Sequence, residues 1–165
     1  MTHTGRTILG AACAILLASV AAEADSYLVL SHAKALDGKT IEDKDGKRYR
    51  LQGIDAPELG QVCLGSDGAE YACGEASRDA LAEMLNGVVT CDILESGAGE
   101  RQPVRCYNFL DLDIGAELVA AGWAVPDRPN GMDYVFNEME AEARDLGLWK
   151  GKFVPPNRWR AGTRL

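Results

Sequence analysis

The chain has 165 residues, a length suited to one domain that folds on its own hydrophobic core. Its 25 acidic and 17 basic side chains leave a net charge of −8. So acidic a protein does not hold nucleic acid through its overall field, and any phosphate chemistry needs a locally basic site.

In chain order, Met1 to Arg6 is polar with one Arg, and Thr7 to Ala22 is almost uninterrupted apolar sequence. Ala22-Glu23-Ala24 then offers small residues at the two positions a signal peptidase reads. An apolar run of about 15 residues is shorter than the roughly 20 that span a bilayer, so residues 1–24 read as a cleaved leader rather than an anchor. Cleavage before Asp25 removes Arg6 and Glu23 together, which keeps the charge at −8. The mature chain, 25–165, is then expected outside the cytoplasm, secreted or periplasmic, with no membrane attachment and as a monomer.

Tyr27 to Leu36 reads as a first strand ending at Asp37-Gly38. Thr40 to Asp43 and Lys47 to Ile54 flank Asp45-Gly46, a tight hairpin signal. Alternation along KRYRLQGI puts Arg50 on the face opposite Tyr49 and Leu51. Pro57 ends that strand, because it cannot donate to a ladder. Leu59 to Gly74 reads as a loop. Glu75 to Asn86 has helical spacing, with Ala76, Ala80, Leu81, Met84 and Leu85 on one side. Val88 to Leu94 and Pro103 to Phe109 read as strands around the polar ESGAGERQ. Asp113 is placed to cap a second helix that Gly122 stops, and a third helix runs from about Asp133 to Leu146. There are no internal repeats or low-complexity linkers, and the order of elements predicts an α+β domain.

Of five cysteines, Cys13 leaves with the leader, and Cys63, Cys73, Cys91 and Cys106 remain. An even set in an exported chain favours two disulfides, and the wide spacing disfavours zinc, whose ligands come in close C-x-x-C pairs. Three connectivities are open. We expect Cys91 with Cys106, across two strands, and Cys63 with Cys73, closing the loop before the first helix. His32, the histidine left after cleavage, reads as a strand residue and cannot form a His-rich metal centre.

The chemistry concentrates between Asp37 and Glu58. Arg50 leaves on a strand arm, Asp55 and Glu58 follow in the next turn, and Asp37 stands at the end of the preceding strand. Phosphodiester hydrolysis needs a hard cation on carboxylate oxygens, a base for the attacking water, and guanidinium groups for the developing charge. These residue types at neighbouring strand ends suit that task.

DGKTI followed by RYRLQGIDAPE resembles the thermonuclease (staphylococcal-nuclease-like) pattern of D-G-D-T, a hairpin, then R-L-x-x-[apolar]-D-x-P-E. GEASRDAL, ERQPVRCY, DIGAELVAAGWA and YVFNEMEAEARDLGLW resemble further family segments in the family's order. The likeness covers about Ala33 to Trp149. It implies a five-stranded OB-like β-barrel with three packed helices, a core over about 33–149, and a C-terminal tail at 150–165. It also implies phosphate-binding arginines at Arg50 and Arg101, although ERQPVR lacks the usual aromatic-Gly-Arg triplet. Glu58 falls at the general base, and Asp55 and the Ala56 carbonyl fall at ligands of the family's calcium.

Lys39 stands where the family has its other calcium-ligating Asp. An ammonium has three donors and no lone pair, so it cannot ligate, and it is placed to bridge to Asp55 and fill the site. Asp37, two residues away, is the remaining carboxylate able to join the metal. The resemblance thus implies hydrolysis of DNA or RNA, with no tight nucleic-acid binding and with calcium catalysis impaired. The alternative is a non-catalytic binding or accessory protein, since some exported, cysteine-containing relatives are associated with exopolysaccharide (succinoglycan) production.

Export from a bacterial host should yield an intact mass that begins at Asp25. Retention of Met1 to Ala24 in the exported material would contradict the leader.

Overall fold

In the computed structural model, Met1 and residues 27–94, 101–128 and 130–165 are described. The expected leader at 1–24, Met1 apart, lies outside the described residues, as does 95–100 in the polar stretch.

The principal sheet has the order β1-β8-β9-β4-β3-β2. Its strands are β1 (Tyr27–Ser31), β2 (Lys34–Ala35), β3 (Thr40–Glu42), β4 (Arg48–Leu51), β8 (Val88–Ile93) and β9 (Gln102–Tyr107). All pairings are antiparallel except β4 with β9. β1 and β2 stand at opposite edges, yet His32 and Ala33 are all that separates them in the chain. Three Cα steps hold the two edges within about 11 Å. Six flat strands would put them about 24 Å apart. The sheet therefore curls into a half-barrel. His32 makes the corner with a positive φ of 62°. The single strand expected over Tyr27 to Leu36 is thus two, and six strands form the curled sheet where five were expected.

Alternation fills the inside of the curl. Leu30, Ile41, Leu51, Val89 and Val104 are buried there against Leu81 of α1 (Cys73–Met84) and Ile114, Leu118 and Val119 of α2 (Ile114–Ala120). Asp113 caps α2 as expected, its Oδ1 accepting from Gly115 N at 2.8 Å and Ala116 N at 3.2 Å. The third helix is shorter than expected. A 3₁₀ turn at Met132–Tyr134 leads into α3 (Val135–Ala143).

Two regions differ from the sequence reading, and both matter for the site. The stretch expected as a loop from Leu59 to Gly74 contains a hairpin of β6 (Val62–Leu64) and β7 (Glu70–Ala72). Residues 150–165 are not a loose tail. Lys152 exchanges backbone hydrogen bonds with Leu64 at 2.8 and 3.0 Å, and α4 (Pro156–Arg160) adds a fourth helix. A second core of Cys63, Cys73 and Leu148, with Tyr71, Trp123 and Phe153 against it, joins hairpin to C-terminal segment. Among the described residues no helix is long and apolar enough to cross a membrane.

Both expected disulfides, Cys63–Cys73 and Cys91–Cys106, are formed. Cys91 and Cys106 are directly opposed on β8 and β9. Non-reducing peptide mapping should find these two linkages. Replacing Cys91 and Cys106 together by Ala should lower the unfolding free energy in urea by about 3 kcal/mol, the loop-entropy value for a closure of this length.

Candidate functional site

The turn between β2 and β3 carries Asp37, Gly38 and Lys39. Gly38 is required by close approach, since a Cβ there would lie 2.7 Å from Ala56 Cβ and would collide with Ser77 Oγ of α1. Asp37 secures the turn locally: Oδ1 accepts from Lys39 N at 2.9 Å and Oδ2 from Thr40 Oγ1 at 3.0 Å. Leu51 N donates to Lys39 O at 2.9 Å, and Thr40 pairs with Arg50 across the hairpin. Lys39 is thereby pinned against β4.

From β4 the chain turns at Gly53, whose φ is +81°, into β5 (Ile54–Asp55). β5 pairs with β10 (Val125–Pro126), and Asp55 is 4% exposed. The chain then presents the Ala56 carbonyl and Glu58. Gln61, fully buried, ties this turn to the C-terminal segment. Its side chain accepts from Glu58 N at 3.3 Å and donates to Val154 O at 2.8 Å.

Three oxygens converge on one nitrogen. Lys39 Nζ donates to Asp55 Oδ1 at 2.9 Å, Ala56 O at 3.2 Å and Glu58 Oε1 at 2.6 Å. Every hydrogen of a buried ammonium, 4% exposed as a residue, has its own acceptor, which meets the condition for keeping such a charge out of water. Arg160, the last residue of α4, closes the other side. Its Nη1 and Nη2 reach Asp55 Oδ1 and Oδ2 at 3.0 and 2.6 Å, and Nη1 reaches Glu58 Oε1 at 2.7 Å. Arg50 stands at the edge, Nη2 lying 3.9 Å from Asp55 Oδ1 and donating to Ile54 O at 3.4 Å.

Burial works to raise the pKa of Asp55 and of Glu58. Hydrogen bonds from Arg160 and Lys39 outweigh it and hold both carboxyls below their ordinary range. Carboxylates so held are weak proton acceptors. The same two carboxylates raise Arg160 above its ordinary value, the hydrogen bond to Asp55 contributing most.

The residues expected to hold calcium do not fit it. Asp55, Ala56 and Glu58 do converge, but the point on which they converge is occupied by the Lys39 ammonium, which offers no lone pair to a cation and adds a positive charge. Asp37 spends both oxygens on its own turn and does not join them. A dication about 5 Å from the ammonium would be repelled by about 6–7 kcal/mol at an effective dielectric near 20. Among the described residues no group of three His, Cys, Asp or Glu is arranged to hold a metal ion.

Of the residues expected to act together, Arg50, Asp55, Ala56 and Glu58 are brought to one place. Arg101 is exposed and sits one residue before β9, whose Gln102 is opposite Tyr49. Among the described residues, no hydrogen bond or ion pair joins it to the cluster. Arg160 is the residue that sequence reasoning missed. Its trace in the sequence is the run of Arg158, Arg160 and Arg164 that ends an otherwise acidic protein.

Over 150 residues the chain is 31% identical to the succinoglycan biosynthesis protein ExoI of Rhizobium meliloti (strain 1021). The match spans 89% of this chain and 77% of that protein. The chain belongs to the ExoI family. No protein-family model matches it, and the thermonuclease likeness of this ExoI-family chain rests on its motifs alone.

Replacing Lys39 by Met should cost about 3 kcal/mol, the low end for breaking a buried pair, because Arg160 still faces Asp55. Arg160→Ala, at a half-exposed position, should cost about 1 kcal/mol or less. Since folding lowers both carboxyl pKa values, the cluster's contribution is complete above the ordinary carboxylate range near pH 4. It is lost as pH falls through the folded values. Urea titrations between pH 2 and 6 should show that acid loss in the wild type and a shallower one in Lys39→Met.

Proposed function

We propose that the chain is a non-catalytic accessory protein of exopolysaccharide production that works outside the cytoplasm. The observation that carries this reading is the ammonium of Lys39 on Asp55, Ala56 and Glu58. It takes the oxygens that a catalytic cation would need and leaves no open coordination position for water or a phosphoryl oxygen. The ExoI relative, named for succinoglycan biosynthesis, supplies the process. Two disulfides suit an oxidising compartment.

The rival reading is phosphodiester hydrolysis of DNA or RNA with calcium. Arg50, half-exposed beside Asp55, is the observation that favours it. Arg50 and Arg101 would bind phosphate and Glu58 would serve as base. In the accessory reading Glu58 and Asp55 are instead structural anions, and Arg160 occupies the approach to both.

Incubated with single-stranded DNA or RNA, the purified protein should release no more product with calcium than with chelator, and calorimetry should detect no calcium binding. Lys39→Asp should gain measurable calcium binding, and deletion of the gene should alter the exopolysaccharide. Brisk calcium-dependent cleavage by the wild type, reduced on the order of a hundredfold in each of Arg50→Ala, Glu58→Ala and Arg101→Ala, would establish the nuclease instead.

A further inference from the structure

A cleft of about 200 Å³ opens beside Asp55. Its walls come from β10 and the residues after it, from α3, and from the C-terminal segment between residues 149 and 157. We propose that this cleft is a binding subsite for one uncharged sugar residue of a glycan. The inference rests on the exopolysaccharide reading above and names the chemistry of its ligand.

The lining has two characters. Trp149 and Phe153 form an apolar corner, their rings 5.1 Å apart and at 89° to each other. The C–H face of a pyranose can lie on such a surface. Opposite in character, Asp127, Arg128, Glu138 and Asn157 also line the cleft and bring acceptors and donors close together. Vicinal hydroxyls, each both donor and acceptor, match that mixture. The indole N–H of Trp149 is buried and has no acceptor among the described residues.

Charge narrows the ligand class. Arg128 is paired with Glu138, and Asp127 leaves the rim with an excess of negative charge. Asp55, at the cleft's boundary with the cluster, is already compensated by Lys39 and Arg160. Arg128, the cationic side chain among the lining residues, is already spent on Glu138, which leaves phosphate, nucleotide and acidic sugars no free cation among the described residues of the cleft. The volume lies below the about 300–1,000 Å³ of pockets for drug-sized ligands, which suits a single ring. Lys39 and Arg160 act here as positioning residues that hold Asp55, and through it β5 against β10.

Calorimetric titration of the purified protein with two neutral tetrasaccharides, cellotetraose and laminaritetraose, tests the cleft. Glucose 1-phosphate and a short oligothymidylate serve as charged comparisons. At least one tetrasaccharide should bind saturably, and the charged probes should not bind at the same concentrations. Asn157→Ala and Glu138→Gln should each weaken binding about two- to tenfold, as expected for loss of one hydrogen bond, and Trp149→Ala should abolish it. Asn157 is exposed, so its variant keeps the fold, and unchanged thermal midpoints will verify this for each protein. Val29→Thr, on the outer face of β1, should bind as the wild type does. Absence of saturable binding to both tetrasaccharides, binding that Asn157→Ala and Glu138→Gln leave unchanged, or preference for a charged probe would overturn the proposal. An altered polymer on gene deletion together with no binding would refute the cleft alone. Binding together with an unaltered polymer would refute the accessory role and keep the cleft.

Discussion

The ammonium of Lys39 has three hydrogens, and Asp55, Ala56 and Glu58 accept one each at a position almost closed to solvent. A buried cation tolerates few errors of geometry, because each missing acceptor leaves a polar hydrogen without water or partner. The constraint reaches outward from there. Gly38 must be glycine for the turn to approach α1, Asp37 must bond its own turn, and β5 must lie against β10 for the Asp55 carboxylate to be in place. Replacement of such a centre by apolar residues is often neutral or stabilising. What the charges do here is join three chain segments: the turn at Lys39, the stretch from Asp55 to Glu58, and the end of α4 at Arg160.

An ammonium and a calcium ion can gather similar oxygens, but they differ in what remains afterwards. Calcium takes six to eight ligands and keeps places for water and substrate oxygen. Lysine is saturated by three hydrogen bonds, all made within the protein. The guanidinium of Arg160 then binds both carboxylates from the side left open, in a two-pronged contact with Asp55. Three basic groups, Lys39, Arg50 and Arg160, thus surround two acidic ones, and the cluster is satisfied without an added ion.

Arg160 arrives through the second core. The disulfide between Cys63 and Cys73 lies in that core with Leu148, and Phe153 packs on it. Lys152 pairs with Leu64, and Gln61 binds Val154, so the chain is already fixed on two sides before α4 begins. The same anchoring sets Trp149, Phe153 and Asn157 along the cleft beside Asp55. Cluster and cleft are two faces of one docking event between the segment after Pro57 and the C-terminus.

Much of this was legible locally. Asp45-Gly46 marked the hairpin, alternation put Arg50 opposite Tyr49 and Leu51, Asp113 announced its helix, and cysteine spacing matched the two linkages. Lys39 conflicted with a cation because the thermonuclease resemblance set an ammonium, which has no lone pair, at a calcium-ligating position. The split of the first strand at His32, the hairpin inside the Cys63–Cys73 loop and the docking of residues 150–165 were not legible. Each depends on what packs against it, and periodicity reports only neighbours within a turn or along a strand. Arg101 adjoined the site by motif order, yet pairing between β4 and β9 set it at an exposed strand end. Arg160 meets Asp55 across 105 positions of sequence. The sequence by itself marked Lys39, Arg50, Asp55 and Glu58 as charges of the centre, but not Arg160. Only the tertiary structure decided which of them meet, because a contact over that separation follows from how the whole core closes.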